Sequence, residues 1–183
     1  MRLSNLTRLS IGALLVASLS GCVPADPAPP QPSATFVAPY ASDEEALAAA
    51  EAAYGEFVDV SNVILNEGGA SPERIETITT GDFAERTLSS YKDFGAEGKK
   101  SVGNATFDSA VLQRYSSGGG NVEIITIYLC HDVSKVDLLD SNGDSLVKPD
   151  RQARVRLEVT FDFDAVDQKL RLSERDVWTD PTC

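Results

Sequence analysis

The segment "ARVRLEVTFDFD", residues 153–164, alternates apolar and polar side chains without a break. Because successive side chains of a β-strand point to opposite faces, the pattern predicts a strand with one buried and one solvated face. A short turn over residues 165–168 leads into "KLRLSERDVW", residues 169–178, which predicts the closing strand. The side chains of the first segment that we expect to point inward are Ala153, Val155, Leu157, Val159, Phe161 and Phe163.

Two more long strands are predicted before this one. The segment "VEIITIYLCHDV", residues 122–133, is apolar on both faces, which is typical of a central strand covered on both sides for much of its length. The segment "ATFDSAVLQRYS", residues 105–116, precedes it across a glycine-rich turn. Downstream, "DSNGD", residues 140–144, contains Asn-Gly, the strongest short hairpin signal. The second half of the chain therefore predicts a run of antiparallel strands.

The residues before these strands have the helical period instead. Ser42 and Glu45 form an S-x-x-E capping box ahead of a long amphipathic stretch that a Gly-Gly pair closes. A second helical stretch begins at residues 71–72, a serine cap followed by proline, and a third covers residues 82–94. Helices followed by antiparallel strands predict one α+β domain over residues 42–183, with N-terminal helices packed on one face of a curved sheet.

This order of elements resembles the cone-shaped fold of nuclear transport factor two, scytalone dehydratase and ketosteroid isomerase, over residues 42–183. The resemblance implies an apolar pocket inside the cone. In the isomerases and dehydratases of this fold, a carboxylate in an apolar pocket shuttles a proton because burial raises its pKa. The resemblance thus suggests two functions for the domain, binding of a small apolar ligand and, as the alternative, an isomerase or dehydratase activity.

Asp132 is the candidate for such a carboxylate, because it comes near the end of the predicted central strand. Tyr54, Tyr91 and Tyr128 are candidates for a nearby hydroxyl. The other interpretation of Asp132 is structural: it accepts hydrogen bonds from a loop or caps a turn. His131, the one histidine of the chain, falls on the opposite strand face from Asp132, so the pleat disfavours direct pairing of the two side chains. A single histidine does not predict a catalytic base.

The first 22 residues, "MRLSNLTRLSIGALLVASLSGC", have the three parts of a secretory signal. Arg2 and Arg8 give the positive start, a short apolar run follows, and small residues come last. The run is shorter than the roughly 20 apolar residues of a membrane span. Two other interpretations remain, an ordinary cleaved signal with a chance cysteine and a short buried helix.

The end of this segment, Leu19-Ser20-Gly21-Cys22, resembles the lipobox of bacterial lipoproteins. The resemblance implies that residues 1–21 are a signal peptide and that the Cys22 thiol receives a diacylglyceryl group, which anchors the chain at the extracytoplasmic face of the cell membrane. Two acyl chains hold a protein stably at a bilayer, whereas one does so marginally. Short motifs later in the chain are similar to those of small actinobacterial lipoproteins with the cone domain: Cys130-x-Asp132-x-Ser134, Leu138-Leu139-Asp140-x-x-Gly143 and the ending Trp178 to Cys183.

Residues 22–41 predict a linker between the anchor and the domain. This stretch holds six of the nine prolines of the chain. Proline fixes φ and lacks an amide donor, so it disfavours both helix and sheet and favours an extended, semi-rigid tether. We expect the tether to hold the folded domain away from the bilayer.

If Cys22 carries lipid, Cys130 and Cys183 remain as the other two cysteines. Leftover cysteines of an exported protein usually pair, because the compartment is oxidising. The chain-entropy model gives such a disulfide about 4 kcal/mol of stabilisation. The alternatives are a reactive thiol and a metal site shared with His131, for which neither the spacing nor the number of ligands is suitable.

The chain is acidic, with a formal net charge of −12, and shows no basic stripe. Nucleic acid is therefore not an expected partner. The acidic loop with Asp137, Asp140 and Asp144 lacks the spacing of a calcium-binding EF-hand and is explained by turn formation. No motif predicts a cofactor or metal. The sequence therefore predicts a membrane-anchored binding or interaction module whose partner is a small apolar ligand or an envelope protein, with a purely structural envelope role as a further possibility.

Overall fold

The computed structural model describes residues 39–118, 122–178 and 183. The predicted signal peptide, the lipidation site Cys22 and most of the proline-rich linker lie outside the described residues. So do residues 119–121, in the predicted turn between the first two long strands, and residues 179–182. Among the described residues, no helix is both long enough and apolar enough to cross a membrane.

The elements follow the predicted order, with helices first and strands after. Two α-helices flank one 3-10 helix: α1 is Asp43–Asn66, the 3-10 helix is Pro72–Thr77 and α2 is Gly81–Ala96. Six strands follow: β1 Lys100–Val102, β2 Thr106–Gly118, β3 Val122–Asp132, β4 Asp137–Leu139, β5 Arg154–Asp164 and β6 Lys169–Val177.

The four long strands form one antiparallel sheet in the order β2-β3-β5-β6. The helices pack on one face of this sheet, where α1 contacts β2, β3 and β6, and α2 contacts β6. The predicted α+β class, with N-terminal helices on an antiparallel sheet, is confirmed. Strand β3 lies between two neighbours, so its predicted central position is also confirmed.

The core lies between the helices and this face of the sheet. Strand β5 contributes its predicted inward set, of which Leu157, Val159 and Phe161 are almost completely buried. Strand β3 contributes Ile125, Ile127 and Leu129 from the same layer. The buried side chains that the helical segments supply are Ala46, Ala50, Tyr54, Phe57, Val58, Ile64, Ile75, Ile78 and Phe83.

The second face of β3 differs from the prediction that it is covered for much of its length. Ile124 and Tyr128 on this outer face are half-buried, because all described helices pack on the other face. The cover that Tyr128 receives comes from Trp178, with ring centroids 5.1 Å apart, and from the Arg156 guanidinium, 5.4 Å from the ring centroid. β-branched and aromatic residues suit exposed strand positions as well, so their presence did not require a second layer.

The helix ends show one confirmed cap and one error. The Ser42 hydroxyl accepts a hydrogen bond from the Glu45 amide at 3.3 Å, and the Glu45 carboxylate accepts one from the Ala41 amide at 2.8 Å. Ser71 precedes the second helical stretch but makes no side-chain cap, since its backbone is left-handed, with φ of 48°. That stretch is a 3-10 helix of six residues, in which Ile75 is buried, as is Ile78 directly after it.

A second, two-stranded sheet was not predicted. Strand β1 pairs with β4 antiparallel, with Lys100 opposite Leu139. The Asn142-Gly143 turn forms next to β4, where the Asp140 carboxylate accepts hydrogen bonds from the amides of Asn142 and Asp144. Its return arm is an isolated bridge between Leu139 and Ser145 rather than a full strand. The structure thus agrees with turn formation as the explanation of the acidic loop.

Tyr40 fixes the point at which the chain enters the domain. Its amide donates to the Tyr115 hydroxyl at 3.2 Å, and that hydroxyl donates to the Tyr40 carbonyl at 3.1 Å. The Tyr40 ring also meets the rings of Tyr115 and Phe163 edge-on, at centroid distances of 6.0 and 6.2 Å. This contact lies at the end of the sheet where β2 ends and β3 begins.

The other end of the chain is fixed by a disulfide. Cys183 is bonded to Cys130 on the outer face of β3, with their Cα atoms 5.8 Å apart and a sequence separation of 53 residues. Just before this, the Trp178 amide donates to the Arg156 carbonyl at 2.8 Å. The bond attaches the C-terminal residue to the central strand of the sheet.

Candidate functional site

A half-enclosed pocket of about 250 Å³ lies between the two α-helices and the inner face of the sheet. Helix α1 supplies Phe57, Val58 and Leu65 to its wall, because residues three and four apart share one helical face. The wall continues through the region after β3 with Val133 and Val136. The polar side chains that also line it are Ser61, Asn62, Tyr91, Ser101, His131 and Arg175.

Three of the polar groups beside this pocket form a chain of hydrogen bonds. Arg175 Nε donates to the Tyr54 hydroxyl at 3.2 Å, and the Tyr54 hydroxyl lies 3.2 Å from His131 Nδ1. Tyr54 is completely buried and packs edge-on against Phe107, with ring centroids 5.0 Å apart. Packing therefore fixes the position of the Tyr54 side chain.

His131 is held as a neutral imidazole. Burial lowers its pKa to about 4, and the neighbouring positive charge of Arg175 acts in the same direction against a smaller opposing effect of Asp132. Arg175 Nε can only donate, so the Tyr54 oxygen accepts from it. The Tyr54 hydroxyl keeps its own proton, which it can donate to an unprotonated Nδ1 of His131. In that tautomer the ring proton of His131 is on Nε2, an atom with no hydrogen-bond partner among the residues that the structure describes.

Two tyrosines that the sequence singled out lie at this site. Tyr91 donates to the Ser61 hydroxyl at 2.8 Å, and burial raises the pKa of Tyr91 above its usual value. Burial likewise raises the pKa of Tyr54, although Arg175 acts in the opposite direction. Both phenols therefore stay protonated at neutral pH. Tyr128 is not at the site, because it lies on the outer face of the sheet.

Asn62 positions the start of β2 at the pocket. Its side-chain oxygen accepts from the Ala105 amide at 2.9 Å, and its side-chain nitrogen donates to the Ala105 carbonyl at 3.0 Å. This pair of bonds joins α1 to the residue just before β2, and Ala105 lines the pocket. The side-chain amide of Asn62 therefore serves the structure, because Ala105 already occupies its oxygen and its nitrogen.

The expectation that Asp132 faces the interior is wrong. Asp132 lies on the outer face, where its carboxylate accepts from the Ser134 amide at 2.8 Å and from Arg154 Nη1 at 2.9 Å. Arg154 also binds Asp108 with two hydrogen bonds, at 2.8 and 2.9 Å. The bonds from Ser134, followed by those from Arg154, lower the pKa of Asp132 to about 2. A carboxylate so stabilised in its charged form is a poor proton shuttle, and the turn-capping interpretation is confirmed.

The described residues offer no metal site. No group of three or more His, Cys, Asp or Glu side chains in that part of the chain is arranged to hold a metal ion. Two carboxylates of this region are engaged in hydrogen bonds: Asp137, at the start of β4, accepts from the Ser145 hydroxyl at 2.6 Å, and Asp140 accepts from the amides of the following turn.

Comparison with known proteins gives a fold and no activity. No protein-family model matches the chain, and no curated protein matches its sequence. The structure is similar to that of the intermembrane space region of the chloroplast protein ARC6, with a TM-score of 0.52, 10% sequence identity and coverage of 72% of this chain and 95% of that one. It is also similar to a periplasmic fragment of TraM, with a TM-score of 0.47, 14% identity and coverage of 75% and 98%. At this identity the ARC6 likeness shows a shared fold alone.

Sequence reasoning missed Arg175 as a site residue and gave His131 no role. The signal for both was the register of the two strands that flank β5: His131 on β3 pairs with Val155 and Arg175 on β6 pairs with Val159, both inward positions of the alternating segment. Side chains directly opposite each other on antiparallel strands share a face. The buried face of β5 therefore identifies His131 and Arg175 as inward-facing polar residues once the pairing is known.

Proposed function

We propose that this chain is an extracytoplasmic lipoprotein, anchored through Cys22, whose domain binds a small apolar ligand. The observation that carries the binding function is the half-enclosed pocket of about 250 Å³ with apolar side chains on several sides. A pocket between N-terminal helices and an antiparallel sheet is also what the cone fold of nuclear transport factor two provides, and we propose that the domain is of this kind. The intermembrane-space location of the ARC6 region supports a place outside the cytoplasm.

A ligand pocket explains the structure better than a docking surface for an envelope protein. The exposed large apolar side chains of the described residues belong to different elements, such as Val63 on α1, Val111 on β2 and Val166 in the turn before β6. Single exposed apolar residues are normal on a soluble domain and do not by themselves mark an interface.

The isomerase or dehydratase alternative has less support. Of the residues that the structure describes, none that lines the pocket is a carboxylate. His131 would be a weak general base, because a pKa of about 4 is far below neutral pH, where a base works best with a matched pKa.

Filling the pocket tests the binding function. Ala105→Phe places a ring where Ala105 lines the wall, and Ala165→Phe makes the same change at an exposed turn position. Binding of hexanamide, a neutral apolar probe, is followed through the NMR signals of the single histidine in the purified full chain. We expect hexanamide to shift the His131 signals in the unaltered chain and in A165F, and to leave them unchanged in A105F. Equal responses in all three proteins would contradict a ligand site in this pocket.

The anchor is tested separately in a bacterial host. Cys22→Ala removes the thiol that would accept the diacylglyceryl group, while Cys183→Ala removes a cysteine that we expect to carry no lipid. Mass spectrometry and membrane fractionation should show an unprocessed, lipid-free C22A protein and a processed, acylated C183A protein. A C22A protein that is matured and acylated like the unaltered chain would refute the lipoprotein assignment.

A further inference from the structure

The polar side chains around the pocket offer hydrogen-bond donors that have no acceptor among the described residues. Arg175 uses Nε on Tyr54 and has its two Nη groups left. His131 adds a donor at Nε2 in the tautomer that accepts the Tyr54 proton at Nδ1. Ser61 accepts from Tyr91, and its own hydroxyl proton has no acceptor in the described part of the chain. A ligand that fits these groups supplies acceptors rather than donors.

The positive charge of Arg175 also favours a ligand that supplies acceptors. Two other arginines of the sheet are paired with carboxylates, Arg154 with Asp108 and Asp132, and Arg171 with Asp164 and Asp167. Arg156 instead lies over the Tyr128 ring, and Arg151 donates to two backbone carbonyls. Arg175 is half-buried and forms no ion pair with any described residue, in a chain with 28 acidic residues and a net charge of −12. A cation that loses water without gaining a carboxylate pays a desolvation cost, which a bound anion would offset.

Apolar surface completes the description of the site. Phe57, Val58 and Leu65 face the same cavity as Arg175, and Val133 and Val136 close its other side. A small hydrated anion such as phosphate gains nothing from such walls, whereas a hydrocarbon group buries apolar area against them. The occupant therefore needs an anionic end with free oxygen atoms and an apolar body.

We propose that the pocket binds a small apolar monocarboxylate, with its carboxylate on Arg175 and its hydrocarbon part against Phe57, Val58 and Leu65. The proposal rests on the binding function proposed above, because it assigns a ligand class to the same pocket. A guanidinium binds a carboxylate through two parallel hydrogen bonds, and the two Nη groups of Arg175 are available for this. A volume of about 250 Å³ equals that of about eight water molecules, so the ligand has roughly that many non-hydrogen atoms.

The test compares three probes of nearly equal size on the purified full chain: hexanoate, hexanamide and hexylamine. Calorimetry gives the affinities, and the NMR signals of His131 report occupancy of the pocket. We expect hexanoate to bind roughly tenfold or more tightly than hexanamide, in line with charge-assisted hydrogen bonds, and hexylamine to bind most weakly. Bound hexanoate should also raise the pKa of His131, because its negative charge opposes that of Arg175, whereas hexanamide should not.

Two substitutions test whether the charge of Arg175 causes the preference for hexanoate. Arg175→Met should remove the preference for hexanoate over hexanamide, while Arg114→Met, which removes an equal charge from an exposed position of β2, should leave it unchanged. The probe comparison on the unaltered chain needs no substitution, so a folding defect in R175M does not remove the test.

The outcomes separate this proposal from the one on which it rests. Hexanoate and hexanamide of equal affinity, both shifting His131, would overturn the carboxylate assignment and leave an apolar binding pocket. A preference for hexanoate that survives in R175M would also overturn it, because the anion would then sit elsewhere. Failure of all three probes to bind would overturn the binding function itself.

Discussion

The charge state of His131 is determined by the surroundings of its ring. The same side chain on the outer face of β3 would be solvated and would titrate near 6.5. On the inner face it lies against Tyr54 and near Arg175, so both burial and like charge disfavour the imidazolium. The result is an imidazole that stays neutral at neutral pH instead of a group that changes charge there.

This situation predicts an acid titration of His131. As the chain has one histidine, its ring signals in an NMR pH series need no assignment, and we expect them to report a pKa of about 4. Because this value lies below the unfolded value of about 6.5, the unfolded chain binds the proton first as pH falls. His131 then contributes stability fully above about pH 6.5 and loses that contribution between about pH 6.5 and pH 4.

Arg175→Met should raise the pKa of His131, since it removes one of the two causes that lower it. Arg114→Met, far from the ring on the exposed side of β2, serves as the matched control and should leave the titration unchanged. A pKa near 6.5 in the unaltered chain would show that the ring is solvated and not bonded to Tyr54.

The two faces of β3 show how far the sequence predicts the direction of individual side chains. Alternation placed His131 and Asp132 on opposite faces correctly. It did not show which face meets the helices, because both faces of this strand are apolar. The clean alternation of β5 contained the answer, but using it required the strand register, which depends on distant contacts.

Among the elements, the two serine-led helix starts differ although their sequences look alike. The Ser42 hydroxyl caps α1 by accepting from the Glu45 amide at 3.3 Å, whereas Ser71 makes no side-chain cap. We expect Ser42→Ala to lower the free energy of unfolding by about 1 kcal/mol, the usual cost of losing such a cap. Ser71→Ala should change it by less than about 0.5 kcal/mol. Urea unfolding followed by circular dichroism measures both, and equal losses would contradict a capping role confined to Ser42.

Element length explains which parts of the fold were predictable. The long strands β2, β3, β5 and β6 and helix α1 carry enough residues for their periods to be read, and their order was predicted. Strands β1 and β4 have three residues each, too few for alternation to be recognised. The 3-10 geometry after α1 was missed because it depends on the left-handed backbone at Ser71 and not on the apolar pattern.

At the scale of the whole molecule, the Cys130–Cys183 disulfide joins the C-terminal residue to the central strand. Cross-linking across 53 residues restricts the unfolded chain, and the chain-entropy model assigns about 4 kcal/mol to it. We expect Cys130→Ala/Cys183→Ala to lower the melting temperature by about 10 °C, given the entropy of unfolding of a domain of this size. A reductant should lower the melting temperature of the unaltered chain similarly and leave the double variant unaffected. A reductant that has no effect on the unaltered chain would show that the bond contributes nothing to stability.

The contact of Tyr40 with Tyr115 and Phe163 lies toward one end of the strands, and His131 lies toward the other end. Tyr115 pairs with Ile125, and His131 lies six residues further along β3, about 20 Å away at the usual rise per residue. If the chain is anchored by lipid at Cys22, as we propose, tension in the tether would be applied at the end of the strands far from the proposed ligand pocket, so the pocket would carry little of that load.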